Sequence, residues 1–199
     1  EHTMNIKEYI KEQRLITDGA MGTYYEEKYS EDTVIAEKEN LKNPEQIKEI
    51  HLEYLRAGAR LIRTNTFAAN TMFLADMQEV KETVRAGYEI AKEAVTAFQA
   101  ENGKEIPVFI GADLGPIYDL DHQDYDNVLQ EYKEICDTFL SCGADCFVFE
   151  TQSDFTYIEP ATAYIKEKSD AFILVQFAFD KSGYTRSGLS MQRVAVEAS

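Results

Sequence analysis

Three acids stand at the ends of short apolar runs. Asp18 follows Leu15-Ile16-Thr17, Asp113 follows Val108-Phe109-Ile110-Gly111-Ala112, and Glu150 follows Cys146-Phe147-Val148-Phe149. A further run, Ala59 to Arg63, ends in Thr64-Asn65-Thr66. In a parallel α/β protein the carboxyl ends of the strands form the rim where ligands sit. Carboxylates converging there suit a cationic or zwitterionic small molecule, or a divalent metal such as magnesium held by Asp18, Asp113 and Glu150. Plainer readings exist for each position taken alone. Asp18-Gly19 can simply terminate a strand, and Thr64-Asn65-Thr66 can cap one. A glutamate directly after four apolar residues is costly to bury without a partner.

The elements that must position these residues follow from periodicity. Strands are expected at about 14–19, 59–67, 108–113, 146–150 and 172–179. Helices are expected from Asn43-Pro44 to Gly58, from about Glu79 to Ala100, from about Asp124 to Ser141, from about Asp154 to Lys166, and from Met191 to Ala198. Asn43 is the expected N-cap of the first of these, with Pro44 at its first position. The stretch Tyr24 to Asn43 is polar and holds no recognisable phosphate loop. His51 shares the apolar face of its helix and reads as a packed histidine rather than a ligand. The segment Asp119 to Asp126 resembles a calcium loop only superficially, since Asp124 stands where glycine is required and Gln130 where a bidentate glutamate is expected. Cys136, Cys142 and Cys146 lack zinc-site spacing and read as small core residues.

Composition narrows the classes. The chain has 199 residues, enough for one domain with a substantial core, and 44% of them are hydrophobic. Its net charge of −16 repels phosphate backbones and anionic lipid, which argues against nucleic-acid and membrane roles. No apolar run approaches the ~20 residues of a membrane span, and no signal-peptide pattern opens the chain. With an odd count of three cysteines, this points to a reducing, cytoplasmic setting. Glu1-His2-Thr3, ahead of Met4, is expected to be extraneous to the fold.

Five βα units with strands apolar on both faces describe a parallel sheet covered by helices. The alternatives are a self-contained doubly wound sheet and part of an eight-fold βα barrel. The last strand is the most apolar, and a flat apolar edge is an aggregation hazard. Strand ends recur every ~40 residues, so eight units would need roughly 300. The expectation is a (β/α)8 TIM barrel of which residues 4–199 hold the first five units.

Asp18-Gly19-Ala20-Met21-Gly22 resembles the opening motif of the homocysteine S-methyltransferase domain family, found in cobalamin-dependent methionine synthase and betaine–homocysteine methyltransferase. The likeness continues through Ile50-His51, Tyr54-Leu55, Ala57-Gly58-Ala59, Thr64-Asn65-Thr66-Phe67, Asn70, Gly115-Pro116 and Phe149-Glu150-Thr151. The form of the opening motif looks closer to the methionine-synthase branch. The resemblance implies an eight-fold barrel that binds homocysteine and transfers a methyl group to its thiolate, giving methionine.

On this resemblance, Asp18 and Glu150 receive the homocysteine ammonium. Backbone N–H groups at Gly19 and Ala20, with Asn65 or Thr66, position its carboxylate, and Asp113 has a supporting role. The family holds zinc through three cysteines in an Asn-Cys segment and a Gly-Gly-Cys-Cys segment, neither of which occurs here. The 199 residues alone are therefore expected to lack the zinc site and to be inactive. The implied donor is methyl-cobalamin charged from methyltetrahydrofolate, with cobalamin carried by another module; S-methylmethionine and betaine remain alternatives. An open barrel would expose its first and fifth strands, so a completing segment or self-association through those edges is expected. A non-catalytic amino-acid-binding or interaction domain is the other reading.

Overall fold

Each pass of the sheet lies beside the pass before it and runs the same way. The computed structural model describes residues 4–30, 32–118 and 124–199. Its four strands are β1 (Leu61–Arg63), β2 (Phe109–Leu114), β3 (Cys146–Gln152) and β4 (Phe172–Phe177), all parallel and in the order β1-β2-β3-β4. A doubly wound sheet reverses its strand order at a switch point; this sheet keeps chain order throughout, which is the winding of an α/β barrel.

The strand expected at 14–19 is reduced to one parallel bridge between Thr17 and Leu61, with the Asp18 N–H donating to the Leu61 carbonyl. The ladder stops there for a visible reason. The Arg63 N–H donates at 2.8 Å to the Asp18 side chain, so the next backbone carbonyl is not its partner.

The helices are α1 (Ile6–Glu12), α2 (Gly22–Tyr29), α3 (Glu39–Lys42), α4 (Pro44–Arg56), α5 (Met77–Asn102), α6 (Tyr125–Ser141), α7 (Ile158–Lys168) and α8 (Met191–Glu197). The four expected between 43 and 168 and the last one are present with shifted ends. Helix α5 starts earlier than its apolar periodicity because Asp76 caps it, accepting from the Glu79 N–H. Asn43 precedes α4 but does not cap it; its side chain donates to Glu39 instead. Helices α1, α2 and α3, with a 3₁₀ turn at Ala36–Lys38, were not expected. Helix α1 is held by a reciprocal cap, Asn5 accepting from the Glu8 N–H while Glu8 accepts from the Asn5 N–H. Residues Glu1 to Thr3, and Asp119 to Gln123 of the calcium-like segment, lie outside the described residues.

Alternation along the strands makes two faces. The outward residues Ala112, Leu114, Phe147 and Phe149 join the large core under α5, α6 and α7. The inward residues Leu61, Cys146 and Val148 form a separate cluster closed by Ile6 of α1, whose Tyr9 meets Phe109 edge-on at 5.4 Å. Helix α1 thus plugs the amino end of the inner face. Continuing the inward phase by two places Arg63, Asp113 and Glu150 at its carboxyl end. Strand β4, the most apolar in sequence, is half-buried along its whole length.

His51 packs on α4 with no exposed surface, as expected for a core histidine. Neither ring nitrogen has a partner among the described residues, and burial pushes its pKa down to about 4.

Candidate ligand-binding site

Arg63 is the centre of the site, and sequence reasoning missed it. Its Nε donates to Asp18 Oδ1 at 2.8 Å, its Nη2 to the carbonyls of Gly19 (2.8 Å) and Asp18 (3.3 Å), and its Nη1 pairs with Glu150 Oε1 at 2.6 Å. One guanidinium therefore ties the Asp18 turn, β1 and β3 together. Burial works against the Arg63 charge, but Asp18 and Glu150 more than offset it and raise its pKa. Burial also pushes the Asp18 carboxyl up, and Arg63 pulls it partly back. The available signal was phase: Arg63 follows Leu61 by two in a strand whose Leu61 faces inward.

An irregularity follows Glu150. The β3–β4 register shifts between Phe149 and Gln152, and Thr151 has φ of 57°, a left-handed conformation that strains a β-branched residue. The inward phase from Val148 already brings Glu150 to Arg63, and the bulge interrupts the ladder just beyond it. Asp113 lies on the neighbouring strand β2 and is only 2% exposed. Burial first, then the Glu150 charge, raises the Asp113 pKa well above the carboxylate range. Its Oδ1 has no partner among the described residues. Opposite Arg63 in the register stands Gly111, where a Cβ would come within 2.6 Å of Val148 Cγ2.

The two threonines after β1 continue the sheet with side chains. Thr66 Oγ1 donates to the Asp113 carbonyl (2.7 Å), so Thr64 Oγ1 donates to Thr66 Oγ1 (2.6 Å), and Thr64 in turn accepts from the Asp113 N–H (3.0 Å). Asn65 donates to the Ala36 carbonyl and to Asn40 Oδ1, each at 2.8 Å, while Asn40 donates back to the Asn65 carbonyl. These polar atoms are committed to the protein, so the side chains of Asn65 and Thr66 hold the loop together. Gly87 lets α5 approach this loop closely, since a Cβ there would lie 2.8 Å from both Asn40 and Thr66. The Gly19-Ala20 turn rests on Tyr54, whose hydroxyl donates to the Ala20 carbonyl at 2.7 Å.

These groups surround a cavity of about 490 Å³ in which all seven expected positions, Asp18, Gly19, Ala20, Asn65, Thr66, Asp113 and Glu150, form wall, together with Arg63. Glu37, also unforeseen, lines the same cavity, accepting from the Ala68 N–H at 2.8 Å; burial raises its pKa. Helix α2 begins at the wall with no side-chain cap, leaving its first-turn N–H groups without one.

The residues do not suit a metal. A guanidinium already bridges Asp18 and Glu150, which removes the reason for a divalent ion between them. Cys136 and Cys146 are buried with thiols pushed up to about 12 by burial, which opposes the thiolate form zinc requires. Among the described residues no three His, Cys, Asp or Glu side chains are grouped to hold a metal. Among the described residues no helix is long and apolar enough to cross a membrane.

A family model described as homocysteine S-methyltransferase matches residues 15–199. Homocysteine S-methyltransferase of Escherichia coli (strain K12) is 28% identical over 200 residues, covering 92% of this chain and 64% of that protein. Methionine synthase of Mycobacterium leprae (strain TN) is 26% identical over 175 residues, 81% of this chain and 14% of that protein. The chain thus spans less than two thirds of either relative. Among solved structures, the metallated form of the homocysteine methyltransferase MmuM from Escherichia coli superposes with a TM-score of 0.77 at 25% identity, over 95% of this chain and 72% of that one. Its apo form gives 0.76 at 26% identity, over 94% and 68%.

Proposed function

This chain belongs to the homocysteine S-methyltransferase family, and from that premise we propose that it is the amino-acid-binding part of an enzyme that methylates homocysteine to methionine. The observation that carries the reading is the acidic wall: two carboxylates on one guanidinium, with a third acid beside them, facing a cavity of amino-acid size. Glu150, a quarter exposed, is the group that meets the ligand's ammonium through a charge-assisted bond. Asp18, only 3% exposed, acts through Arg63. Backbone N–H groups at Gly19 and Ala20, with the uncapped first turn of α2, receive the ligand's carboxylate, for which a helix N-terminus is a ready site. Asn65 and Thr66 contribute to the shape of the pocket.

Zinc would activate the thiol in such a reaction, but the cysteines present here do not fit it, and no step through zinc is assigned to them. The reading therefore requires that residues 4–199 be about five of eight barrel units, with thiolate ligands supplied by sequence beyond these 199 residues. The half-buried β4 is the edge that a sixth strand, or a second copy, would cover. Methyl-cobalamin charged from methyltetrahydrofolate is the donor we favour, through the branch resemblance of the Asp18–Gly22 motif.

Calorimetry with L-homocysteine tests the pocket. Glu150→Gln should weaken binding about 10- to 100-fold, the worth of a hydrogen bond to a charged group. Affinity unchanged from wild type in both Glu150→Gln and Asp18→Asn would sink the ammonium assignment.

A further inference from the structure

Recognition of a zwitterion needs an acceptor for its ammonium and a donor for its carboxylate. The cavity is lined by the acids Asp18, Glu37, Asp113 and Glu150, and among its described lining residues Arg63 is the only cation. A guanidinium has one N–H on Nε and a pair on each Nη. The Nε of Arg63 is spent on Asp18 Oδ1 at 2.8 Å, and both N–H groups of Nη2 on the carbonyls of Gly19 at 2.8 Å and Asp18 at 3.3 Å. Nη1 meets Glu150 Oε1 at 2.6 Å and no other acceptor among the described residues, so at least one of its N–H bonds is left over. Glu150 uses one oxygen in that pair and keeps a quarter of its side chain exposed, whereas Asp18 is 3% exposed. The wall therefore offers one spare donor next to one accessible acid.

We propose that Arg63 is a direct ligand contact that selects for the α-carboxylate: its spare Nη1 N–H donates to one carboxylate oxygen while Glu150, its ion-pair partner, takes the ammonium. This rests on the amino-acid-binding reading above and deepens it. The charges then alternate from Glu150 to Arg63 to carboxylate to ammonium, so each has opposite charge beside it and the Arg63–Glu150 pair need not separate. The Gly19 and Ala20 N–H groups are left the second carboxylate oxygen. A ligand with a carboxylate alone meets several acids and one cation, and is repelled. A ligand with an ammonium alone leaves the Nη1 donor unmatched. Lysine could not replace the guanidinium here, because a point charge that holds Asp18 and Glu150 has no fixed fork reaching a third acceptor.

L-Methionine and L-methioninamide are the probes, because they differ only at the carboxylate. Calorimetry on the full chain should find the amide about 10- to 100-fold weaker than L-methionine in the wild type. Arg63→Lys keeps a cation for Asp18, and should lower L-methionine affinity by a similar factor, about 10- to 100-fold, while leaving the amide within about twofold. Equal losses for both ligands are the mark of an arginine that only shapes the wall; they overturn the proposal and leave amino-acid binding standing. So does an amide that binds the wild type as tightly as L-methionine. If the wild type does not bind L-methionine, or binds it no better than 4-(methylthio)butanoate, which lacks the amine, the ammonium reading fails and the proposal falls with it. Should Arg63→Lys not fold, or the amide bind too weakly to titrate, the crystal structure of the wild type with L-methionine decides. Nη1 within about 3.2 Å of a carboxylate oxygen supports the contact, and a separation beyond about 4 Å refutes it.

Discussion

The fold buries polar groups in two places and treats them in opposite ways. At the carboxyl end of the sheet, Arg63 is surrounded by carboxylates and carbonyls and pairs with Asp18 and Glu150. Inside α4, His51 is fully buried, and neither ring nitrogen meets a partner among the described residues. Burying charge is tolerated where each charge has a counter-charge and geometry to hold it. A lone imidazole survives burial by giving up its proton. The first arrangement opens onto a cavity and is a ligand site; the second is sealed and bears on stability alone. Histidine is the residue type usually suspected of chemistry near neutral pH, and here it is the inert one.

The contrast is sharpest in what each site tolerates. Arg63→Met should have the largest effect, a loss of about 3–5 kcal/mol by urea denaturation, because it strands Asp18 and Glu150 without their shared partner. A loss below about 1 kcal/mol would mean the clamp is not a unit. His51 should reveal itself through pH instead. Its unfolded pKa is near 6.5 and its folded value about 4, so the unfolded chain binds more protons between them. Stability should be full above about pH 6.5 and fall by about 3 kcal/mol as pH drops through 4. His51→Leu should remove that part of the acid sensitivity and be no less stable at pH 7.

Smaller changes probe the edges of the clamp. Gly19→Ala brings a Cβ to 2.7 Å from the Tyr54 hydroxyl, disturbing the carbonyl that Arg63 Nη2 uses, and should cost about 1 kcal/mol of overpacking in a thermal melt. Asp113→Asn should be the mildest and of opposite sign. The folded pKa of Asp113 is raised, so its stability contribution is present near pH 4 and is lost as pH rises through the folded value. Removing the ionisable group should stabilise the protein by about 1 kcal/mol near pH 8, with no change near pH 4.

Much of this was legible in the chain itself. Period-two and period-3.6 patterns announced four of the strands and five of the helices, because burial on a sheet or helix face is a local, repeating demand. Three acids ending apolar runs announced the rim. The amino end was harder to read: α1, α2, α3 and the 3₁₀ turn lie in polar sequence where short helices are held by caps and by contacts to distant residues. The first strand was read as longer than it is, because its apolar run is the same whether or not Asp18 takes the next N–H in place of a backbone carbonyl.

By itself, then, the sequence determined the βα alternation, the parallel sheet and the family, all of which depend on residue type at short spacing. Only the tertiary structure decided what the acids do. Asp18 and Arg63 are 45 residues apart, and nothing local couples them. Their pairing follows from adjacent parallel passes, and the inward phase of β3 brings Glu150 to the same guanidinium. The same packing shut His51 away from every partner among the described residues. Charge in a protein acquires its role from what surrounds it, and those surroundings are assembled only when the chain closes on itself.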